Sequence, residues 1–238
     1  MIEVTLTTEE IMILERDNFF NLKKSSSEIR QILDDHDFKD FEDFISYYHL
    51  CTEGANEIGT KLENLDSEFQ FKYDHNPIHH MEERIKEVPS LFEKIKRKGY
   101  DLSAQSVQDN IYDIAGIRVI TNYLDDVYSV EKMLLQQSDV ELIRRRDYIK
   151  NPKASGYRSL HIVVSVPVFE THGVQNTPVE VQIRTVGMDM WASLEHKLRY
   201  KTKANPTLVD KYGEQLRSYS EELNQIEQNM QGIFHHLS

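Results

Sequence analysis

One strand-like stretch, VEVQIRT, carries the side chains best suited to form a functional site. Glu180, Gln182 and Arg184 alternate with Val181 and Ile183, and successive side chains of a strand point to opposite faces. The three polar groups therefore share one face of the strand. Because burying polar groups costs free energy unless they have partners, this pattern predicts a site that supplies those partners.

A carboxylate in the stretch YDIAGIRVIT could bind a divalent metal ion. Asp113 precedes the small residues Ala115 and Gly116, and Arg118 follows on the predicted strand. Metal-dependent nucleotide enzymes place Mg²⁺ ligands at such strand starts, because hard cations prefer oxygen. A single aspartate before a strand is also typical of an ordinary turn, so both interpretations stay open on these residues alone.

Two basic stretches could bind phosphate groups. The first, RIKEVPSLFEKIKRKG, includes a predicted short helix with Pro89 in its first turn and Gly99 after its last residue. The N–H groups at a helix N-terminus bind anions, and added cations strengthen such a site. The residues of this stretch that could contribute are Arg84, Lys86, Ser90, Lys94, Arg97 and Lys98. The alternative is a solvated basic helix face.

The second basic stretch, NPKASGYRSLH, follows a run of three arginines at positions 144–146. Lys153 and His161 lie on either side of the pair Gly156 and Tyr157. A loop of this composition could hold phosphates and stack a base on the tyrosine ring. Taken alone, the stretch favours the simpler interpretation, a solvated turn.

The composition is that of a soluble globular protein, with 238 residues of which 39% are hydrophobic and 29% charged. This length suits one domain with helical additions. No apolar run approaches the ~20 residues that span a bilayer. The N-terminal stretch lacks a basic leader followed by an apolar block, so we expect a cytoplasmic location and no membrane partner. Cys51 is the only cysteine, which excludes an internal disulfide within one chain.

The charge distribution favours a small anionic ligand over a nucleic acid. The formal net charge is -12, and residues 1–80 contain 18 acidic and 7 basic residues. Residues 84–203 contain 19 basic and 15 acidic residues, so the middle of the chain is locally positive. Binding nucleic acid without sequence preference needs an extended positive surface. A local pocket for a small polyanion needs much less, and no nucleic acid is required.

The apolar periodicity predicts a mixed sheet covered by helices. Steps of three and four predict a helix over residues 41–69, with Asp40 as its cap. The period then changes to two, which predicts strands at 117–121, 140–145, 159–168 and 178–185. Further helices are predicted at 125–137 and 188–200.

The last segment predicts a long helix with an apolar seam. Its apolar residues recur at steps of four and three, which is the spacing of a coiled coil. They are Leu208, Tyr212, Leu216, Tyr219, Leu223, Ile226, Met230, Ile233 and Leu237. We expect this seam to pack against another subunit or against the N-terminal helix.

In chain order, these stretches resemble the synthetase domain of the RelA/SpoT-type alarmone synthetases, and most of all the small single-domain members of that family. The resemblance rests on Arg84-x-Lys86 with Ser90 and Lys94, then on DIAGIRVI, RDYIKNPKASGYRSLH, and VEVQIRT leading into MDMWASLEHK. It covers about residues 75–203. It implies an α+β fold, a nucleotidyltransferase-like mixed β-sheet with helices on both faces, extended by N-terminal and C-terminal helices.

The resemblance also implies a division of the chain: an N-terminal helical region (1–75), a (p)ppGpp synthetase domain (76–203) and a C-terminal oligomerisation helix (204–238). Long members of the family add a hydrolase domain with a His-Asp metal motif. The letters His-Asp occur here in LDDHDF, in an acidic run too short for that domain. We therefore expect synthesis without hydrolase activity, by a homotetramer assembled through the helical ends.

The implied reaction moves the β,γ-pyrophosphate of ATP to the ribose 3′-hydroxyl of GTP or GDP, giving AMP and pppGpp or ppGpp. Arg84 and Arg118 match arginines that sandwich the adenine. The residues that match triphosphate contacts are Lys86, Ser90, Lys94 and Lys98. Asp113 matches the catalytic Mg²⁺ ligand, and Glu180 matches a second carboxylate that holds the metal or takes the proton from the 3′-hydroxyl.

The resemblance assigns a further set of residues to the acceptor nucleotide: Arg146, Lys153, Tyr157, His161, Gln182 and Asp189. Tyr157 would stack on guanine, and Asp189 would read the guanine edge. Some members have asparagine at the position of Asp189. Because a carboxylate accepts from two donors at once, this departure should preserve the preference for guanine. The sequence does not choose among GDP, GTP and GMP, nor say whether a guanine nucleotide acts at an allosteric site.

Three other functions compete with this interpretation. Some small relatives pyrophosphorylate tRNA, but they need a basic tract that this acidic chain does not offer. A silent module that senses nucleotides or RNA would not need both Asp113 and Glu180. A purely structural helical oligomer would not explain the polar face of the Glu180 strand.

Overall fold

The strands form one mixed sheet that positions the predicted site residues. The computed structural model describes residues 14–15, 40–198 and 206–237, so LDDHDF and about half of the predicted N-terminal region (residues 1–13 and 16–39) lie outside the described residues. The strand order is β1-β2-β3-β6-β5-β4, with β1 parallel to β2, β3 parallel to β6 and the other neighbours antiparallel. The strands are β1 (Leu14–Glu15), β2 (Ile78–Ile85), β3 (Ala115–Thr121), β4 (Glu141–Asp147), β5 (Leu160–Glu170) and β6 (Gly173–Thr185).

Within the described ranges, six helices accompany the sheet: α1 (Phe41–Lys72), α2 (Val88–Lys98), α3 (Ala104–Asn110), α4 (Leu124–Leu135), α5 (Val186–His196) and α6 (Pro206–Leu237). Gly99 ends α2 in the left-handed conformation, with φ 70°, as the sequence predicted. Asp40 occupies the N-cap position of α1, as predicted, but its side chain makes no cap hydrogen bond. Within the described residues, no helix combines the length and apolarity needed to cross a membrane.

The core lies between α1 and one face of the sheet. Ile117, Val119, Val181 and Ile183 face this core from the two central strands, and all are nearly inaccessible to solvent. The helix contributes the stripe predicted from its spacing, namely Phe44, Tyr48, Cys51, Ala55, Ile58 and Leu62. Each fully buried large apolar side chain stabilises the fold by roughly 1.5–3 kcal/mol. The residues between these positions on the same strands face the opposite side of the sheet.

The sequence did not predict β1, β2 or α3, and β6 begins five residues earlier than predicted. Strand β2 contains a register shift between Ile78 and His80, which breaks the period of two. The first residues of β6 extend a hairpin with β5 beyond the core, where Phe169 and Val174 are both exposed. An exposed ladder has no buried face, so it leaves no alternating apolar pattern to detect.

Helix α6 packs on its own chain along one face and exposes apolar residues on another. It lies against α4 and α5, where Trp191 Nε1 donates to the Leu216 carbonyl at 2.9 Å. The Phe234 ring stacks on Tyr123 with the ring centroids 4.4 Å apart. The exposed residues are Tyr212, Tyr219, Ile226, Met230, Ile233 and Leu237, which keep between 49% and 83% of their surface. The side chain of Leu208 lies outside the described part of the structure.

Candidate active site

The register of the strands aligns polar side chains in two rows on the face opposite the core. The first row, read across the sheet, is Glu82, Arg118, Gln182, His161 and Arg146. The second row is Arg84, Gly116, Glu180, Val163 and Arg144. Side chains directly opposite one another in neighbouring strands lie within reach. The fold therefore brings together predicted site residues that are up to 98 positions apart in the chain, counted from Arg84 to Gln182.

Gly116 allows β3 and β6 to approach closely at the centre of these rows. A Cβ atom built at this position would lie 2.2 Å from the backbone oxygen of Glu180, a distance that real Cβ atoms do not reach. Any other residue type would push the two strands apart. The glycine therefore keeps Glu180 beside the loop that ends at Asp113.

Two lysines of the predicted phosphate site contact Asp113. Lys94 Nζ donates to Asp113 Oδ1 at 2.5 Å, and Lys86 Nζ donates to Asp113 Oδ2. Burial raises the pKa of Asp113, but the two ammonium groups outweigh burial and leave the pKa below its ordinary value. Burial also lowers the pKa of Lys86, which Asp113 opposes. The carboxylate is thus held ionised between two cations.

Glu180 is held by donors on both carboxylate oxygens. His161 Nδ1 lies 3.3 Å from Glu180 Oε1, and Gln182 Nε2 donates to Glu180 Oε2 at 2.8 Å. Burial raises the pKa of Glu180, but these hydrogen bonds outweigh it and hold the pKa below the ordinary value. Burial lowers the pKa of His161. The geometry suits an imidazole that donates from Nδ1 to the carboxylate.

An aromatic cluster surrounds the predicted base-stacking residue. Lys153 Nζ lies 4.5 Å from the centroid of the Tyr157 ring and 4.6 Å from that of Tyr148, and Tyr157 Oη lies 2.8 Å from His161 Nε2. Tyr148 also meets His161 edge to face, with centroids 5.3 Å apart. The sequence analysis missed Tyr148, although its position between Arg146 and Lys153 places it among the candidates.

Arg118 is fixed by two carboxylates. Its Nη1 donates to Glu82 Oε2 at 2.8 Å and lies 3.7 Å from Asp189 Oδ1. The sequence analysis missed Glu82 because it missed β2, and with it the alternation that places Glu82 and Arg84 on one face. Asp189, in the first turn of α5, accepts from Arg184 Nη1 at 2.9 Å through the same oxygen.

Two adjoining cavities collect most of the predicted residues. The first, which we call the carboxylate cavity, is lined by Arg84, Lys86, Asp113, Arg118, Glu180 and Gln182 among others. The second, the tyrosine cavity, shares Arg84, Arg118 and Gln182 with the first and adds Lys153, Tyr157, His161 and Arg184. Ser90 and Lys98 are exposed on α2 and line neither of these two cavities. Arg146 joins the site only through its row on the sheet.

Comparison with known proteins shows which family this chain resembles. Residues 83–205 match the family described as "Region found in RelA / SpoT proteins". GTP pyrophosphokinase YwaC of Bacillus subtilis is 37% identical over 176 residues, which is 74% of this chain and 83% of the relative. The GTP pyrophosphokinase YjbM of the same organism is 35% identical over 197 residues, covering 83% of this chain and 90% of the relative.

A solved structure shows the same fold. The small alarmone synthetase 1 of Bacillus subtilis, bound to its product pppGpp, superposes with a TM-score of 0.73 at 33% identity, covering 84% of this chain and 99% of that one. The predicted α+β fold and the predicted resemblance are confirmed. A family match over more than half of the chain, relatives of this similarity and a shared fold lead to one conclusion: the chain belongs to the RelA/SpoT family, among the small alarmone synthetases.

Proposed function

We propose that this protein is a GTP/GDP 3′-pyrophosphokinase that transfers the β,γ-pyrophosphate of ATP to the 3′-hydroxyl of a guanine nucleotide. The observation that carries the proposal is the pairing of β3 with β6, because it sets Asp113, Lys86 and Glu180 around one cavity. The relatives that are named GTP pyrophosphokinases support it. So does the similar structure that holds pppGpp.

Each of the two cavities binds one of the two substrates. Lys86, which lines the carboxylate cavity, and Lys94, which contacts Asp113 from α2, bind the triphosphate of ATP. Ser90 and Lys98 are outer contacts, while Arg84 and Arg118 stack on the adenine. In the tyrosine cavity, Tyr157 stacks on guanine. We assign Arg146 and Lys153 to the phosphates of the acceptor. The shared lining by Arg84, Arg118 and Gln182 brings the two nucleotides together.

Glu180 suits the role of the group that accepts the proton of the 3′-hydroxyl. It is ionised, buried and held by His161 and Gln182, so its orientation is fixed before the acceptor arrives. Fixing the reacting groups in place is how enzymes that transfer phosphoryl groups gain most of their rate.

The donor set also fits Mg²⁺. Asp113 and Glu180 line the same cavity with carboxylate oxygens, and Mg²⁺ in nucleotide enzymes is held by one or two carboxylates together with substrate phosphates. When bound there, the ion would neutralise charge that develops on the phosphates. Asp113 and Glu180 are therefore the residues that would hold it.

Assembly and location form part of the same proposal. The exposed apolar face of α6 supports association between copies of this chain, and we propose a homotetramer. Both substrates are nucleotides of the cytoplasm, where we place the protein. The divisions at residues 75 and 203 stay predictions, as does an allosteric guanine nucleotide.

A survey of acceptors tests the proposal. Purified protein is incubated with ATP, Mg²⁺ and, in separate reactions, GDP, GTP, GMP or tRNA, and the nucleotides are separated by ion-exchange chromatography. We expect AMP together with a more highly phosphorylated guanine nucleotide. Transfer to tRNA alone would favour the competing function, and no AMP with any acceptor would contradict the proposal.

A further inference from the structure

Arg184 joins the acceptor half of the site at its centre, although none of the roles assigned above belongs to it. Its side chain is almost fully buried. Nη2 donates to Tyr157 Oη at 2.7 Å and to Gln182 Oε1 at 3.0 Å, and Nη1 donates to Asp189 Oδ1 at 2.9 Å. The guanidinium is buried and donates to one carboxylate and two neutral oxygens. These hydrogen bonds hold the side chain in one orientation.

The direction of each hydrogen bond follows from Arg184, because a guanidinium only donates. Since Tyr157 Oη accepts from Arg184, its own hydrogen is free to point at His161 Nε2, 2.8 Å away. His161 then carries its proton on Nδ1, which faces Glu180 Oε1. This first chain of hydrogen bonds runs from Arg184 to Glu180 through Tyr157 and His161.

A second chain of hydrogen bonds is shorter and ends at the other carboxylate oxygen of Glu180. Gln182 Oε1 accepts from Arg184, so its amide nitrogen must point away from the guanidinium. That nitrogen donates to Glu180 Oε2 at 2.8 Å. The five side chains form a closed ring in which every bond has a defined direction, and such networks are more rigid than their separate pairs.

We propose that Arg184 is a positioning residue for the acceptor. It fixes the Tyr157 ring on which guanine stacks. Through both chains of hydrogen bonds it also fixes the Glu180 carboxylate that faces the 3′-hydroxyl. The inference rests on the proposed function. One guanidinium thereby sets the position of the stacking ring relative to the carboxylate that acts on the 3′-hydroxyl. Asp189 neutralises Arg184 on the side away from Tyr157 and Gln182.

The test compares Arg184→Met, which keeps the length but loses all donors, with Arg184→Lys and Tyr157→Phe. Arg184→Met should raise the KM for GTP and lower kcat, each by about tenfold or more. The Kd of a non-hydrolysable ATP analogue, measured by calorimetry, should change by less than about threefold, since the lysines that bind the triphosphate do not contact Arg184. Arg184→Lys should recover only part of the loss, because one ammonium cannot replace a planar fork.

Tyr157→Phe keeps the stacking ring but removes the hydroxyl that connects Arg184 to His161. It should impair the same two parameters by a smaller factor. Combined with Arg184→Met, the two losses should fall well short of their product, since both break the same ring. The matched control is Arg145→Met, which removes another carboxylate-paired arginine, on the opposite face of the sheet beside Glu131. Its acceptor KM should stay at the wild-type value.

The outcomes separate this inference from the proposed function. A wild-type chain that forms no AMP from ATP and GTP would overturn both. An active wild type with unchanged acceptor KM and kcat in Arg184→Met, or with fully multiplicative losses in the double variant, would overturn the inference alone. If Arg184→Met fails to fold, Tyr157→Phe decides: wild-type kinetics in that variant would overturn the inference.

Discussion

At the scale of single residues, the site is built from charges that already have partners. Asp113 lies between Lys86 and Lys94, and Arg118 lies between Glu82 and Asp189. These side chains are only partly buried, so the pairs orient the groups of the site more than they stabilise the folded chain. The groups that would bind the triphosphate and the metal are thus held close together by their mutual attraction.

The charge of Asp113 is the part of this arrangement that is easiest to remove. Asp113→Asn keeps the shape of the side chain and its ability to accept from a lysine, so the chain should stay folded. Turnover, measured as AMP released, should fall by about a hundredfold or more, as expected for loss of metal or acid–base assistance. The exposed Asp101→Asn is the control and should be fully active. Near-normal turnover in Asp113→Asn would refute the assigned role.

At the scale of elements, the parallel pair β3 and β6 makes the site possible. One residue, Gly116, sets the distance between these strands. Helix α6 supports the site from outside, because the buried Ser220 donates from Oγ to the Gly156 carbonyl at 2.6 Å. Gly156 has φ 93°, a conformation that favours glycine, and it directly precedes Tyr157. The acceptor loop is therefore attached to a helix that contains none of the assigned residues.

Gly116→Ala should separate the two strands. Its Cβ would meet the Glu180 backbone oxygen, which cannot rotate away as a side chain could, so we expect a loss of several °C in Tm together with most of the activity. Gly232→Ala is the matched control: it lies in α6 with nothing within 4 Å of the new atom. That change should raise stability by roughly 0.5–1 kcal/mol. Equal melting behaviour of the two variants would contradict this account of β3 and β6.

Ser220→Ala should loosen the acceptor loop without touching the ATP half of the site. The lost hydrogen bond is buried and leaves the Gly156 carbonyl short of a donor, which costs ~1–3 kcal/mol. We expect the KM for GTP to rise severalfold while the KM for ATP stays constant in steady-state kinetics. Ser218→Ala, exposed on the same helix, should change neither value. A rise in the KM for ATP alone would show that the loop serves the other substrate.

The elements differ in how well the sequence predicts them. The stripe of α1 and the alternation of β6 were readable because each has one buried face, which imposes a period. Strand β2 was missed because a register shift breaks its period, and Glu82 was missed with it. The ring around Arg184 could not be predicted at all, since it depends on β5, β6 and the acceptor loop meeting in one register. The family resemblance indicated most of the site residues, but it did not indicate which of them pair with one another.

At the scale of the whole molecule, α6 connects the site to the surface. Its inner face holds Gly156, while Ile226 and Ile233 are more than half exposed on its outer face. Apolar side chains that repeat every seven residues on an exposed helix are typical of a helical interface. Leu223, by contrast, lies beside Gly187 of the same chain. Only part of the predicted seam is therefore available to another subunit.

Replacing Ile226 and Ile233 together by Asp tests this interface. Charge on a packed helical seam is poorly tolerated, so light scattering should report a smaller particle than the wild type. The matched control replaces Gln225 and Asn229, two exposed polar residues of α6, by Asp, and should leave the mass unchanged. An unchanged mass in the isoleucine variant would mean that this face does not hold the assembly together.

If attack occurs at the β-phosphorus of ATP, the fate of labelled phosphate will show it. The protein is incubated with GTP and Mg²⁺ and, in separate reactions, with ATP labelled at the β or the γ phosphorus. An ordinary kinase would transfer only the γ-phosphoryl group and leave ADP. We predict that both labels are found on the guanine nucleotide and that the adenine product is AMP. Transfer of the γ label alone, with ADP as the product, would contradict the account.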